Sequence, residues 1–174
     1  SVLYLTIGTG IGGGLCVHGR PLQGLSHTEM GHVWIPRMPA AGGAAEPFAG
    51  TCPYHGDCLE GLASGPALAK RWGQPAETLP EDHPAWTEHV GHLARALCTF
   101  IYTLSPEIIL IGGGVGGRAH LFPPLRRRVA DAARLGGALK IAGLGLAREL
   151  AALLRPDGAA AADLERGRDP GTLG

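Results

Sequence analysis

The sequence predicts an α/β domain. Two short apolar runs, 2–7 and 108–111, each lead directly into glycines, and a long amphipathic helical pattern lies between them. The order strand, hairpin, helices, strand, glycine turn, helix is that of alternating elements folding around a sheet.

Val2-Leu3-Tyr4-Leu5-Thr6-Ile7 has the β-branched and aromatic content of a buried strand. A glycine loop is expected from Gly8 to Gly14, followed by a short strand over Leu15-Cys16-Val17-His18 that Gly19-Arg20-Pro21 closes. His32-Val33-Trp34-Ile35 reads as a further strand, and Pro39 to Gly50 as a surface loop. Leu59 to Trp72 carries helical signals broken at Gly65-Pro66, where proline can open a second helix. Pro84 to Leu104 is a helix by its apolar face: Trp86, Val90, Leu93, Leu97, Ile101 and Leu104 recur every three or four residues. Ser105-Pro106 stops it, Ile108-Ile109-Leu110-Ile111 forms a buried strand, and Gly112-Gly113-Gly114 precedes a helix from about Pro123 to Arg134. Residues 135–174 are expected to be a divergent tail, helical over Leu144 to Leu154 and disordered from Pro156.

At 174 residues the chain has room for one domain, or for one and part of another, and its 45% apolar share can supply a core. Fifteen basic residues balance fifteen acidic ones, so nothing favours nucleic acid, which requires concentrated positive charge. Arg126-Arg127-Arg128 reads as the solvated face of a helix. No apolar run approaches the ~20 residues that span a bilayer, and no charged n-region precedes an apolar stretch. Four cysteines, two of them beside histidines, suit a metal site in a reducing compartment, so a cytoplasmic protein is expected. The chain opens at Ser1 inside a strand pattern, which gives the expectation of a segment from a longer protein.

Gly8-Thr9-Gly10-Ile11-Gly12-Gly13 satisfies the dinucleotide-binding string G-x-G-x-x-G. That fingerprint needs a helix to open from the loop, and here a short apolar stretch and a proline follow instead. A turn of glycines can still present converging backbone N–H groups to a phosphate, with the Thr9 hydroxyl as an added donor. A plain hairpin turn would need only two residues. The second glycine run, 112–114, also permits close approach of a ligand to backbone, and two such loops suit a nucleotide.

Cys52-Pro-Tyr-His55-Gly-Asp-Cys58 sets three metal-ligating side chains at two-residue intervals in a tight loop, and zinc is the expected occupant of a closed structural site. A redox pair or two buried thiols would not need the histidine. His32 is the candidate fourth ligand and His27 its nearest rival; Asp57, beside Cys58, is expected to point elsewhere. Cys16 and Cys98 read as packed thiols. His83, His89 and His92 are expected to face solvent.

TIGTGIGGG, GLSHTEMGH, AGTCPYHGDCLEGLASGPA, LPEDHPAW and LSPEIILIGGGV, in this order and spacing, closely resemble the fructokinase branch of the ROK (repressor–ORF–kinase) family over about residues 1–134. C-P-Y-H-G-D-C is similar to that branch, whereas the family's glucokinases and repressors carry C-x-C-G-x-x-G-C. The resemblance implies an actin-like (ribonuclease H-like) sugar-kinase fold, here mainly its C-terminal lobe with the N-terminal lobe missing. It implies ATP between the lobes, Mg²⁺ on the phosphates, structural Zn²⁺, a hexose substrate and a possible homodimer to which helix 84–104 could contribute.

By position, the resemblance makes Gly8, Thr9, Gly10, Gly12 and Gly13 a phosphate-binding loop. Pro66 and the turn Gly112, Gly113, Gly114, Val115, Gly116 would line the adenine nucleotide. Glu29 and His32 match the E-x-G-H motif that contacts sugar hydroxyls, and His32, Cys52, His55 and Cys58 match the zinc ligands. A metal-held imidazole is a rigid donor to a sugar, so the double role of His32 is physically coherent.

The implied reaction is transfer of the γ-phosphoryl group to a sugar hydroxyl, most simply the 6-hydroxyl of fructose. The family's D-x-G-G-T phosphate motif and its N-D-x-N-A stretch, which carries the catalytic aspartate, do not occur in this sequence. The base is therefore expected upstream, and the 174-residue chain is expected to be inactive by itself. The other readings are a non-catalytic sugar- or nucleotide-binding remnant and the sensor lobe of a ROK-type repressor, the latter requiring a helix-turn-helix upstream.

Overall fold

The computed structural model describes residues 1–37, 48–134 and 140–143. One five-stranded mixed sheet organises them, in the order β3-β2-β1-β4-β5. Strand β1 (Val2–Ile7) pairs antiparallel with β2 (Ile11–Val17), which pairs with the two-residue edge strand β3 (Arg20–Pro21). On its other side β1 runs parallel to β4 (Ile108–Gly112), and β4 parallel to β5 (Lys140–Gly143).

Alternation along β1 sends Leu3, Leu5 and Ile7 into the core, joined by Ile109 and Ile111 of β4. Helices α1 (Leu59–Ala63), α2 (Gly65–Trp72), α3 (Pro84–Leu104) and α4 (Phe122–Ala133) supply the rest. Ser64 caps α2, its hydroxyl accepting from Ala67 N–H, and Gly73 in the left-handed conformation ends that helix. The imidazole Nδ1 of His83 caps α3 by accepting from Ala85 N–H at 3.1 Å.

Four expectations need correction. The glycine loop is shorter than expected: the turn is Gly8–Gly10, and β2 already begins at Ile11. Glycine disfavours a strand in isolation, but Tyr4, Leu5 and Thr6 of β1 pair with Gly14, Gly13 and Gly12 and supply the ladder. His32–Ile35 is not a strand either: Met30–His32 forms a 3-10 turn, and Trp34 makes only an isolated bridge to Cys58. The turn directs His32 toward the cysteines, an orientation that no local periodicity encodes.

His89 and His92 do not face solvent; they are 1% and 2% exposed. Residues Val90 to Ala94 are all buried, because α3 packs against both α1 and α4, so this stretch has no solvent face. Arg126 is solvent-exposed, as expected of the basic cluster, but its Nε also donates to Ile141 O at 2.7 Å and ties α4 to β5. The sequence reading assigned no strand to 140–143; the helix and disorder expected over 144–174 lie outside the described residues.

Candidate active site with a metal-ligating cluster

The site is assembled on β2. Met30 seats over Gly13, and Gly31 lies so close to the strand that a Cβ there would stand 2.0 Å from Ile11 O. Only glycine permits that approach. The Thr28 hydroxyl donates to Gly13 O at 2.5 Å and fixes the same turn. Glu29 and His32 therefore stand beside the end of β2 that emerges from the Gly8–Gly10 turn.

His32 Nδ1 lies 3.6 Å from both Cys52 Sγ and Cys58 Sγ, and His55 Nδ1 lies 3.7 Å from Cys52 Sγ. The donor atoms of His32, Cys52, His55 and Cys58 all fall within 4.8 Å of one another. Two thiols and two imidazoles at this separation fit one tetrahedral cation. Burial pushes the Cys58 thiol up to about 11, with Cys52 beside it adding to the shift. Burial also opposes the Cys52 thiolate, but bonds from the Tyr54 and His55 backbone and from Cys58 hold its pKa below the ordinary thiol value. A cation is what would stabilise both thiolates together.

The loop is tied down independently of any ion. Cys52 and Gly56 exchange backbone hydrogen bonds, Leu59 N–H donates to Val33 O, and Arg37 bridges Asp57 at 2.9 Å and Phe48 O at 2.8 Å. Asp57 thus points away from the donor cluster, as expected. His27, the rival ligand, instead pairs with Glu29 at 2.6 Å. With Nδ1 turned to the thiols, His32 presents Nε2 to Glu29, 3.9 Å away. The sugar-reading pair expected from the sequence and the metal cluster share one imidazole.

A cavity of about 620 Å³ opens on the other side of the Gly8–Gly10 turn. Gly8 and Thr9, Gly65 and Pro66, and Gly114 and Val115 converge on it from three segments. Gly65 N–H donates to Gly8 O at 2.7 Å, and Val115 and Gly116 N–H both donate to Ile7 O, which locks the two glycine turns together. Gly113 holds φ +90° with Ile7 O where a Cβ would be, 2.3 Å away. Of the expected nucleotide residues, Gly10, Gly12, Gly13, Gly112, Gly113 and Gly116 shape strands and turns and do not line the cavity.

Two residues escaped the sequence reading. Glu60 accepts from Ile11 N–H at 2.9 Å, and its signal was its place two residues beyond Cys58, in the first turn of α1. Glu77 lines the cavity from a 3-10 turn over Ala76–Thr78, where no motif marks it.

A mixed sheet with paired glycine turns, a ligand-sized cavity between them and a Cys₂His₂ cluster on the neighbouring turn defines the actin-like fold class of the sugar kinases. Residues 1–141 match the sequence model of the ROK family, and the chain belongs to that family. A Bacillus subtilis protein provisionally named a fructokinase is 50% identical over 122 residues, covering 70% of this chain and 39% of its own length. The fructokinase of Zymomonas mobilis is 43% identical over 136 residues, 75% of this chain and 43% of the relative. The chain thus spans less than half of these relatives. A ROK hexokinase from Thermus thermophilus superposes with a TM-score of 0.64 at 24% identity, over 96% of this chain and 59% of that one.

Proposed function

We propose that this chain forms the sugar-reading and nucleotide-facing part of an ATP-dependent hexose kinase, with fructose as the preferred acceptor. One observation carries the reading: the Glu29–His32 turn is packed on β2 through Gly31, and the glycine turn closes the same strand. An acceptor hydroxyl at Glu29 and a phosphate at Gly8–Gly10 are thereby held by one rigid element, as in-line phosphoryl transfer requires.

Glu29 accepts hydrogen bonds from sugar hydroxyls and His32 donates one through Nε2. Zinc, held by His32, Cys52, His55 and Cys58, would fix the tautomer and the direction of that imidazole. The Gly8 and Thr9 backbone would meet the phosphates and the Pro66–Val115 cavity the nucleoside, while Mg²⁺ would neutralise the phosphate oxygens. Residues 1–134, with strand β5 completing their sheet, act as the folded kinase portion, and four cysteines without disulfide partners suit a cytoplasmic setting.

No carboxylate near the metal cluster is free to act as the base: Asp57 is held by Arg37, Glu60 by the Ile11 N–H, and Glu29 pairs with His27 and reads the sugar. The 174-residue chain alone is accordingly inactive. Isothermal titration with fructose, mannose and glucose tests the sugar site. Fructose should bind, and Glu29→Ala should weaken it at least tenfold. Absence of binding by every hexose would remove this reading.

A further inference from the structure

Among the residues that line the 620 Å³ cavity, Glu77 alone carries an ionisable side chain. The rest of the lining is glycine, alanine, proline, valine and Thr9. Glu77 is exposed, and its carboxylate has no hydrogen bond or ion pair among the described residues. The neighbouring Ala76 is 2% exposed, which anchors the 3-10 turn and holds Glu77 at the rim.

The cavity is therefore polarised. One end offers the backbone N–H and the hydroxyl of Thr9, donors suited to an anion, while the Gly8 N–H closes the turn by donating to Gly10 O at 2.9 Å. Helix α2 leads away from there: Gly65 is hydrogen-bonded to Gly8, Ala69 lies one turn further, about 6 Å along the axis, and beyond the Gly73 cap the 76–78 turn packs on α2 and brings Ala76 and Glu77 to the cavity. An ionised carboxylate accepts hydrogen bonds and offers none. It would repel phosphate and favour O–H or N–H donors. A nucleoside triphosphate laid with its phosphates on the glycine turn presents such donors at its other end, the ribose hydroxyls and the exocyclic amine of adenine.

We propose that Glu77 is the specificity-determining acceptor for the nucleoside part of the bound nucleotide, selecting a ligand with a donor at that position. This inference rests on the nucleotide reading of the cavity. Ribose and base amine share the same chemistry, and the analogues below separate them. A site built to receive a donor rejects the analogue that lacks it, because the carboxylate is left without a partner.

The test is equilibrium binding of ATP, 2′-deoxy-ATP, 3′-deoxy-ATP and inosine triphosphate, each with Mg²⁺, to the chain and to its Glu77→Ala and Glu77→Gln variants. Wild type should bind ATP about tenfold or more tighter than at least one analogue, as expected for a hydrogen bond to a charged group. Loss with a deoxy analogue assigns the ribose; loss with the 6-oxo analogue assigns the base amine. Glu77→Ala should bring the ratio to within about threefold, and Glu77→Gln, which keeps an acceptor oxygen, should fall between. Ratios near one in wild type, or ratios unchanged in Glu77→Ala, would overturn the inference and leave the nucleotide site standing. Failure of wild type to bind ATP would overturn both.

Discussion

The carboxylate of Glu60 accepts a hydrogen bond from the backbone N–H of Ile11 at 2.9 Å. Glu60 lies two residues beyond Cys58, and Ile11 is the first residue of β2 after the glycine turn. The Cys/His loop and the glycine turn are thus joined through one side chain. Glu60→Ala should lower stability by about 1.5–3 kcal/mol, the range for hydrogen bonds to charged groups, and weaken ATP binding while metal content stays unchanged. Urea midpoints, metal analysis and ATP titration read the three effects. A drop in metal content would show that Glu60 serves the cluster itself.

Cys58→Ser should lower bound zinc and destabilise the domain. Metal analysis and thermal melting check it, and a chelator should shift the wild-type melt in the same direction. Metal content equal to wild type would take Cys58 out of the site.

Gly31→Ala places a methyl group where Ile11 O now stands, 2.0 Å away. The Glu29–His32 turn must then lift from β2, at a cost of about 1–3 kcal/mol. Gly14→Ala, on the same strand, meets nothing within 4 Å and serves as the control. Denaturation midpoints should separate the two variants clearly; equal midpoints would deny the close approach.

His89 is buried, and neither ring nitrogen has a hydrogen-bond partner among the described residues. Burial, with smaller contributions from His92 and His120, lowers its pKa to about 3. The unfolded chain takes up a proton near pH 6.5 and the folded one does not. The stabilisation is therefore complete above about pH 6.5 and is lost as pH falls toward 3, at up to roughly 1.4 kcal/mol per unit. Urea midpoints at pH 7, 6 and 5 should fall more steeply in wild type than in His89→Leu. Parallel slopes would show that His89 protonates in place.

The sequence made much of this molecule legible. Helix 84–104 was readable end to end because its apolar spacing and its Pro84 and Ser105 boundaries are local signals. The donor set His32, Cys52, His55, Cys58 was readable because two-residue spacing confines three of its members to one loop. What stayed hidden depends on contacts distant in sequence. Gly12–Gly14 become strand only because β1 lies alongside. His89 is internal because α1 and α4 cover α3 from two sides, although its place three residues after Trp86 put it on the apolar stripe. Glu60 and Glu77 gain meaning only when α1 meets β2 and the 76–78 turn meets α2.

Sugar-dependent ADP release with MgATP, measured with fructose, mannose and glucose on the native protein that contains these residues, tests the central claim most directly. The account predicts turnover that depends on fructose and falls sharply with Glu29→Ala, and none from the 174-residue chain alone. Absence of sugar-dependent ADP release from the native protein would contradict the kinase reading, and turnover by the 174-residue chain would place the base among its own carboxylates.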